Sequence, residues 1–194
     1  RNRSREESYF KIFSVTNMLI LINVIMFVIT ALLSKNIFIS DDNVLRILGS
    51  KNNELIREGQ YYRFLTCMFL HGGLVHIACN MYSLYVVGPL VEKVYGRFKL
   101  ILIYFISGIT GSIFSFLFSP YDSIGASAAI FGLLGALLIF SIKIKKTAGK
   151  SFFMNIIAVI FLNIFMGITM PGIDNFAHMG GLLSGSILSL ALWS

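Results

Sequence analysis

Six apolar runs, each long enough to cross a bilayer, leave this 194-residue chain few ways to fold. Inside hydrocarbon every backbone N–H and C=O must find an internal partner, so such runs become helices. The runs are 14–33 (Ser14–Leu33), Leu74–Val91, Leu100–Phe118, Ile124–Ile142, Phe152–Thr169 and Phe176–Trp193. They predict an all-α polytopic membrane protein, a six-transmembrane-helix bundle. Composition agrees: 56% of the residues are hydrophobic, where a soluble domain holds about 45–50%. The first run is too long for a cleavable signal peptide and lacks an A-x-A exit. Residues 1–13 are expected to form a cytosolic tail, truncated because the chain opens on Arg1 rather than Met, and residues 14–194 a single membrane domain.

The formal net charge of +7 would suit nucleic acid. The basic residues border the apolar runs instead, so topology explains them and no nucleic-acid partner is expected. Arg1, Arg3, Arg5 and Lys11 precede span 1. Lys93, Arg97 and Lys99 lie between spans 2 and 3, and Lys143, Lys145, Lys146 and Lys150 between spans 4 and 5. The 3–4 link "SPYDS" and the 5–6 link "MPGID" carry none. The positive-inside rule puts both termini in the cytosol. The 1–2 link, 34–73, mixes basic, acidic and apolar residues. It is expected outside, with helices lying on the outer membrane surface.

Ionisable groups at membrane depth are costly and point to function. Span 2 holds "HIACN", with His76 and Asn80 four apart on one helix face. Span 4 holds Ser127, and span 6 holds His178 in "AHMGGLLSG". Spans 2, 4 and 6 all run from outside to inside. At about 1.5 Å per residue, the four side chains stand roughly 18–24 Å above the inner ends of their spans. Three separate segments therefore place polar groups in one layer below the outer face.

Small residues say how these segments meet. Ser127 is followed by Ala128, Gly132, Gly135 and Ala136, and His178 is flanked by Ala177, Gly181 and Gly185. Small-xxx-small stripes let membrane helices approach backbone to backbone. Such a contact would bring Ser127 to His178. A serine hydroxyl becomes a nucleophile when a base takes its proton, and imidazole suits that task near neutral pH. Acyl transfer also needs donors for the oxyanion. His76, Asn80 and the N–H groups at the head of span 4 can supply them.

Blander readings exist for each residue alone. A serine in an apolar helix usually bonds its own backbone, a membrane histidine can serve packing or a proton relay, and Asn80 can be interhelical glue. The shared depth favours one site. His71 in "FLHGG" is expected to be structural. Cys67 and Cys79 are expected to be unpaired thiols, with Cys79 within the bilayer, although sequence alone leaves a disulfide open. His71, His76 and Cys79 match no zinc spacing, so no metal or other cofactor is expected. Asp174, four residues before His178, is not placed to hold that ring, and a dyad suffices.

"GASAAIFG", "HIACN" and "AHMGGLLSG" together resemble the rhomboid intramembrane serine proteases. The likeness includes "YYRFLTCMFLHGG" before span 2 and "GRF" at Gly96–Phe98. It implies a six-helix rhomboid membrane protease domain over 14–194, with a cavity open to the outside of the cell membrane. It also implies Ser127 as nucleophile, His178 as base, and His76 and Asn80 at the oxyanion. Gly125 opens the serine motif, and Tyr62 with Arg63 match a structural pair. Transmembrane protein substrates would be cut near their outer ends. One departure stands out. Ala128 replaces the second glycine of the motif, and its methyl is expected to narrow the substrate pocket or loosen the contact with span 6. Two rivals come from other classes. An inactive, client-binding relative would typically lack the serine or the histidine. A channel would carry polar groups through the full depth.

Overall fold

The computed structural model describes residues 14–148, 150–169 and 172–192. The expected tail 1–13, Met170 and Pro171 of the last link, and Trp193 lie outside the described residues, as do the side chains of Lys145 and Lys146.

Six long helices follow the six runs: α1 (Val15–Ser34), α5 (Leu74–Tyr95), α6 (Arg97–Phe118), α7 (Ser127–Ala148), α8 (Lys150–Thr169) and α9 (Asn175–Ala191). Three short helices, α2 (Asp42–Leu48), α3 (Asn53–Arg57) and α4 (Arg63–Thr66), occupy the link after α1. Five of the long helices have at least 18 residues and strongly apolar sequences. The sixth, α9, has 17. That is the lower end of what crosses a bilayer, about 17–25 residues.

Local chemistry sets the ends. Ser14 Oγ accepts the Asn17 N–H and starts α1. Gly96, at φ +84°, breaks α5 from α6, so both extend further than the apolar runs. One boundary differs in a way that matters. Span 4 is expected from Ile124, but the helix begins at Ser127. Gly125, at φ +120°, sits in a left-handed region that a side chain resists, so the helix cannot reach back through it.

The links sort to two ends. Ser40 N–H donates to the Gly72 carbonyl and Leu74 N–H to that of Ile37. Lys51 and Ser123 exchange both backbone bonds at 3.0 Å. The 1–2 and 3–4 links therefore share one end. At the other end Glu92 accepts from Val15, Thr16 and Arg97, and Lys99 Nζ donates to the Leu192 carbonyl. The first and last described residues lie at this second end. Helices α5, α7 and α9 all begin at the first.

The tightest packing joins α7 and α9, with α6 against both. A Cβ built on Gly185 would land on the Gly132 carbonyl oxygen, and one on Gly181 on that of Ala128. Gly135 faces the Leu182 carbonyl in the same way. The small-residue stripes thus bring two backbones together without intervening side chains. Helix α6 joins them with Ser107, Gly108, Gly111, Ser112 and Ser115, all buried or facing this seam.

Gly185→Ala is expected to lower stability by about 1–3 kcal/mol, the usual cost of forcing a methyl into a packed interior. Leu183→Ala, at a half-exposed position on the same helix, is expected to stay within about 0.5 kcal/mol. Thermal unfolding in detergent compares the two. Equal midpoints would show that the α7–α9 seam has room to spare.

Candidate active site

Ser127 is the first residue of α7, and His178 lies in the first turn of α9. Their side chains meet: His178 Nε2 is 2.9 Å from Ser127 Oγ. The two residues are 51 positions apart, so helix packing and not chain proximity makes this contact. His178 is buried, and its ring stacks on Phe131, with centroids 4.2 Å apart and planes 11° off parallel. Phe131 is four residues beyond Ser127, so the helix that carries the hydroxyl also carries the plate that orients the imidazole. His178 Nδ1 is buried and has no hydrogen-bond partner among the described residues.

His76 is held from both sides. Gly72 N–H donates to its Nδ1 at 3.3 Å. A nitrogen that accepts carries no proton, so the neutral ring holds its proton on Nε2. Nε2 faces the turn before the serine, where a Cβ on Gly125 would stand 2.8 Å from it. Gly125 therefore has two reasons to be glycine, its dihedral and this close approach. The same turn exposes the head of α7. A helix has no internal partner for its first N–H groups, and Ala126 has no polar side chain to cap them. Two kinds of donor thus stand close to Ser127 along the chain: the proton on His76 Nε2, at the Gly125 turn, and the amides that begin α7.

Asn80 lies one turn below His76 on α5. It is buried and donates from Nδ2 to the His76 carbonyl at 2.9 Å. The described hydrogen bonds join it to its own helix and not to the dyad.

Ala128 does not hold α9 away. Its methyl packs toward α6: a Cβ on Gly111 would stand 2.6 Å from it. Its carbonyl faces Gly181. The glycine needed at this contact is present, but on the opposite helix. The methyl fills a seam and leaves α9 close.

The neighbouring residues support the site. His71 is fully buried with its ring edge-on to His76, centroids 5.1 Å apart. Burial first, and His76 second, push its pKa down to about 3, so it stays neutral at ordinary pH. Cys67 and Cys79 are free thiols, the first buried and the second on the outer surface of the bundle. Burial raises the Cys67 pKa to about 11. Arg63 is buried and donates to the carbonyls of Arg46 and Ser50, a structural role, while the Tyr62 ring lies under its guanidinium. Asp174 caps α9 by accepting the Ala177 N–H and does not touch the His178 ring.

Three contributors escape sequence reasoning. Phe131 had a signal, its i+4 position from Ser127. Ser115, which donates to Asp174, had none. Lys51 reads as one charge among many in an outer link, yet it is buried and donates to the carbonyls of Ser119 and Tyr121. Desolvation lowers its pKa. It clasps the segment that leads to Ser127. No group of three or more potential metal ligands exists among the described residues.

Comparison with known proteins places this geometry in context. A family model described as "Rhomboid domain" matches residues 58–194. "Rhomboid protease GluP" of Bacillus subtilis is 44% identical over 153 residues, which are 79% of this chain and 30% of that protein. "RHOMBOID-like protein 5" of Arabidopsis thaliana is 40% identical over 76% of this chain and 49% of that protein. "Rhomboid protease AarA" of Providencia stuartii is 29% identical over 92% of this chain and 72% of its own length. The chain thus spans half or less of the first two relatives. The family model covers most of the chain, including His76, Asn80, Ser127 and His178, and the chain belongs to the rhomboid family.

Proposed function

We propose that this chain is an intramembrane serine endopeptidase that cuts transmembrane segments of other membrane proteins near the outer face of the cell membrane. Ser127 is the nucleophile and His178 the general base. The observation that carries the reading is the 2.9 Å contact between His178 Nε2 and Ser127 Oγ.

The chemistry follows from the geometry. His178 Nε2 takes the hydroxyl proton as Oγ attacks the scissile carbonyl. The carbonyl oxygen gains negative charge and turns toward His76 Nε2–H and the amides at the head of α7. The imidazolium then gives its proton to the leaving amine, and the C–N bond breaks to leave an acyl-serine. Water, deprotonated by the same nitrogen, adds to the ester and frees the acid. Phe131 keeps the ring in plane throughout, a task that hydrolases with three-membered sites give to a carboxylate. Asn80 supports the oxyanion through its unused N–H or by fixing the turn that carries His76.

A helical substrate hides its carbonyls in hydrogen bonds, so the cut segment must unwind, which Gly or Pro near the bond makes easier. The positive-inside rule supports cytosolic termini, which puts the site-bearing end outward. The rival reading, a client-binding relative without catalysis, does not require a hydroxyl and an imidazole at bonding distance.

Ser127→Ala and His178→Ala are each expected to abolish cleavage of a transmembrane substrate, and the double variant to be no worse than either, because groups acting as one unit are lost together. Turnover by Ser127→Ala above a no-enzyme control would mean that another nucleophile is used. His76→Ala is expected to lower kcat by about 10²–10³-fold, as for loss of one oxyanion donor, and Asn80→Ala by less. Unchanged kcat in both would leave the oxyanion to the backbone alone. Ala128→Gly is expected to lower the unfolding midpoint without altering the preference among Gly, Ala, Ser, Leu and Phe before the cut. A changed ranking would put the methyl in the pocket after all.

For orientation, a cysteine placed at Tyr121, exposed in the 3–4 link, is expected to react with an impermeant maleimide added outside intact cells. Reaction only after the cells are opened would invert the topology.

A further inference from the structure

Helix α6 contributes nothing to the dyad, yet two of its buried serines reach the segments that deliver the nucleophile and the base. Ser112 Oγ lies 3.2 Å from Cys67 Sγ, and the Cys67 carbonyl accepts the Gly125 N–H, two residues before Ser127. Ser115 Oγ donates to Asp174 Oδ2. Asp174 then binds the first turn of α9 twice. Its Oδ1 accepts the Ala177 N–H at 3.0 Å, and its carbonyl accepts the His178 N–H at 3.2 Å. Ser115 is fully buried and Asp174 half-buried, and a hydrogen bond to an ionised carboxylate is stronger than one between neutral groups.

We propose that Asp174, pinned to α6 through Ser115, is a positioning residue that sets where the His178 ring stands relative to Ser127. Two features make the pin necessary. His178 Nδ1 has no partner among the described residues, so no carboxylate steers the ring directly. Stacking on Phe131 fixes the plane of the imidazole but lets it slide within that plane. The remaining control is the height and rotation of the first turn of α9, and Asp174 holds that turn. The turn cannot find a new seat cheaply, because Gly111 and Gly180 meet across the α6–α9 contact with no space for adjustment. The inference rests on the dyad reading above.

The test follows fluorophosphonate labelling of the full chain to completion, with rate and final stoichiometry read separately by intact mass. The chains are the unsubstituted protein, Asp174→Ala, Asp174→Asn, Ser115→Ala and Ser127→Ala. Asp174→Ala is expected to reach one label per chain at a rate lower by about 10–100-fold, since small misplacements of reacting groups cost that much. Asp174→Asn is expected to restore the rate to within about threefold with an unchanged pH midpoint, because asparagine caps a helix as well as aspartate. Ser115→Ala should fall between.

An unchanged rate in Asp174→Ala would overturn the proposal. So would a reduced stoichiometry at unchanged rate, which reports only a smaller folded fraction. Equal loss in Asp174→Asn would overturn it in favour of a charge acting directly on His178. If Asp174→Ala does not fold, Ser115→Ala, which keeps the cap on Ala177, decides alone: slowing at full stoichiometry supports the pin, and the unsubstituted rate overturns it. Failure of the unsubstituted chain to label, or labelling of Ser127→Ala, would overturn the dyad reading and the pin with it.

Discussion

The contact between the backbones of α7 and α9 is the constraint on which the rest depends. Ser127 and His178 head these two helices, and a hydroxyl and an imidazole are short reaches. They meet at 2.9 Å only because Gly181 and Gly185 let α9 lie on the carbonyls of Ala128 and Gly132. Membrane helices gain nothing by hiding apolar surface from lipid, so close packing must supply the attraction. The seam thus serves stability and chemistry together: one missing set of side chains buys both. Helix α6 completes it, and its small residues let three helices share one narrow core.

Around that seam the site is built from few parts. The turn that gives Gly125 its left-handed dihedral also leaves room for His76 Nε2 and ends where α7 begins. In the proposed mechanism, oxyanion donors and nucleophile both meet at one break in the chain. The link between α1 and α5 fixes that break, through the Lys51–Ser123 bridge and the Lys51 ammonium on the Ser119 and Tyr121 carbonyls. A buried lysine is expensive, and two carbonyl partners here offset part of that cost.

Much of this was legible in the sequence because membranes simplify the reading. Hydrocarbon forces helices, so run length gave the six spans, and helix rise gave the common depth of His76, Ser127 and His178. Spacing by four gave the α7–α9 seam. What escaped reading depends on side-chain direction and on turns. Nothing in "SIGAS" says that the helix waits until Ser127. The rotation of α7 decides whether the Ala128 methyl faces a pocket or Gly111, and the sequence does not print that angle. Lys51, Ser115 and Asp174 act across long sequence separations through single hydrogen bonds, which leave no periodic trace.

In the proposed mechanism Ser127 attacks within one geometry: base on one side, donors on the other. The most direct measurement is an experimental structure of the chain after reaction with a fluorophosphonate. The expected result is phosphorus bonded to Ser127 Oγ, with the phosphonyl oxygen turned to His76 Nε2 and the first amides of α7, and with His178 still stacked on Phe131. An adduct on a different residue, or a phosphonyl oxygen turned away from His76 and the head of α7, would contradict it.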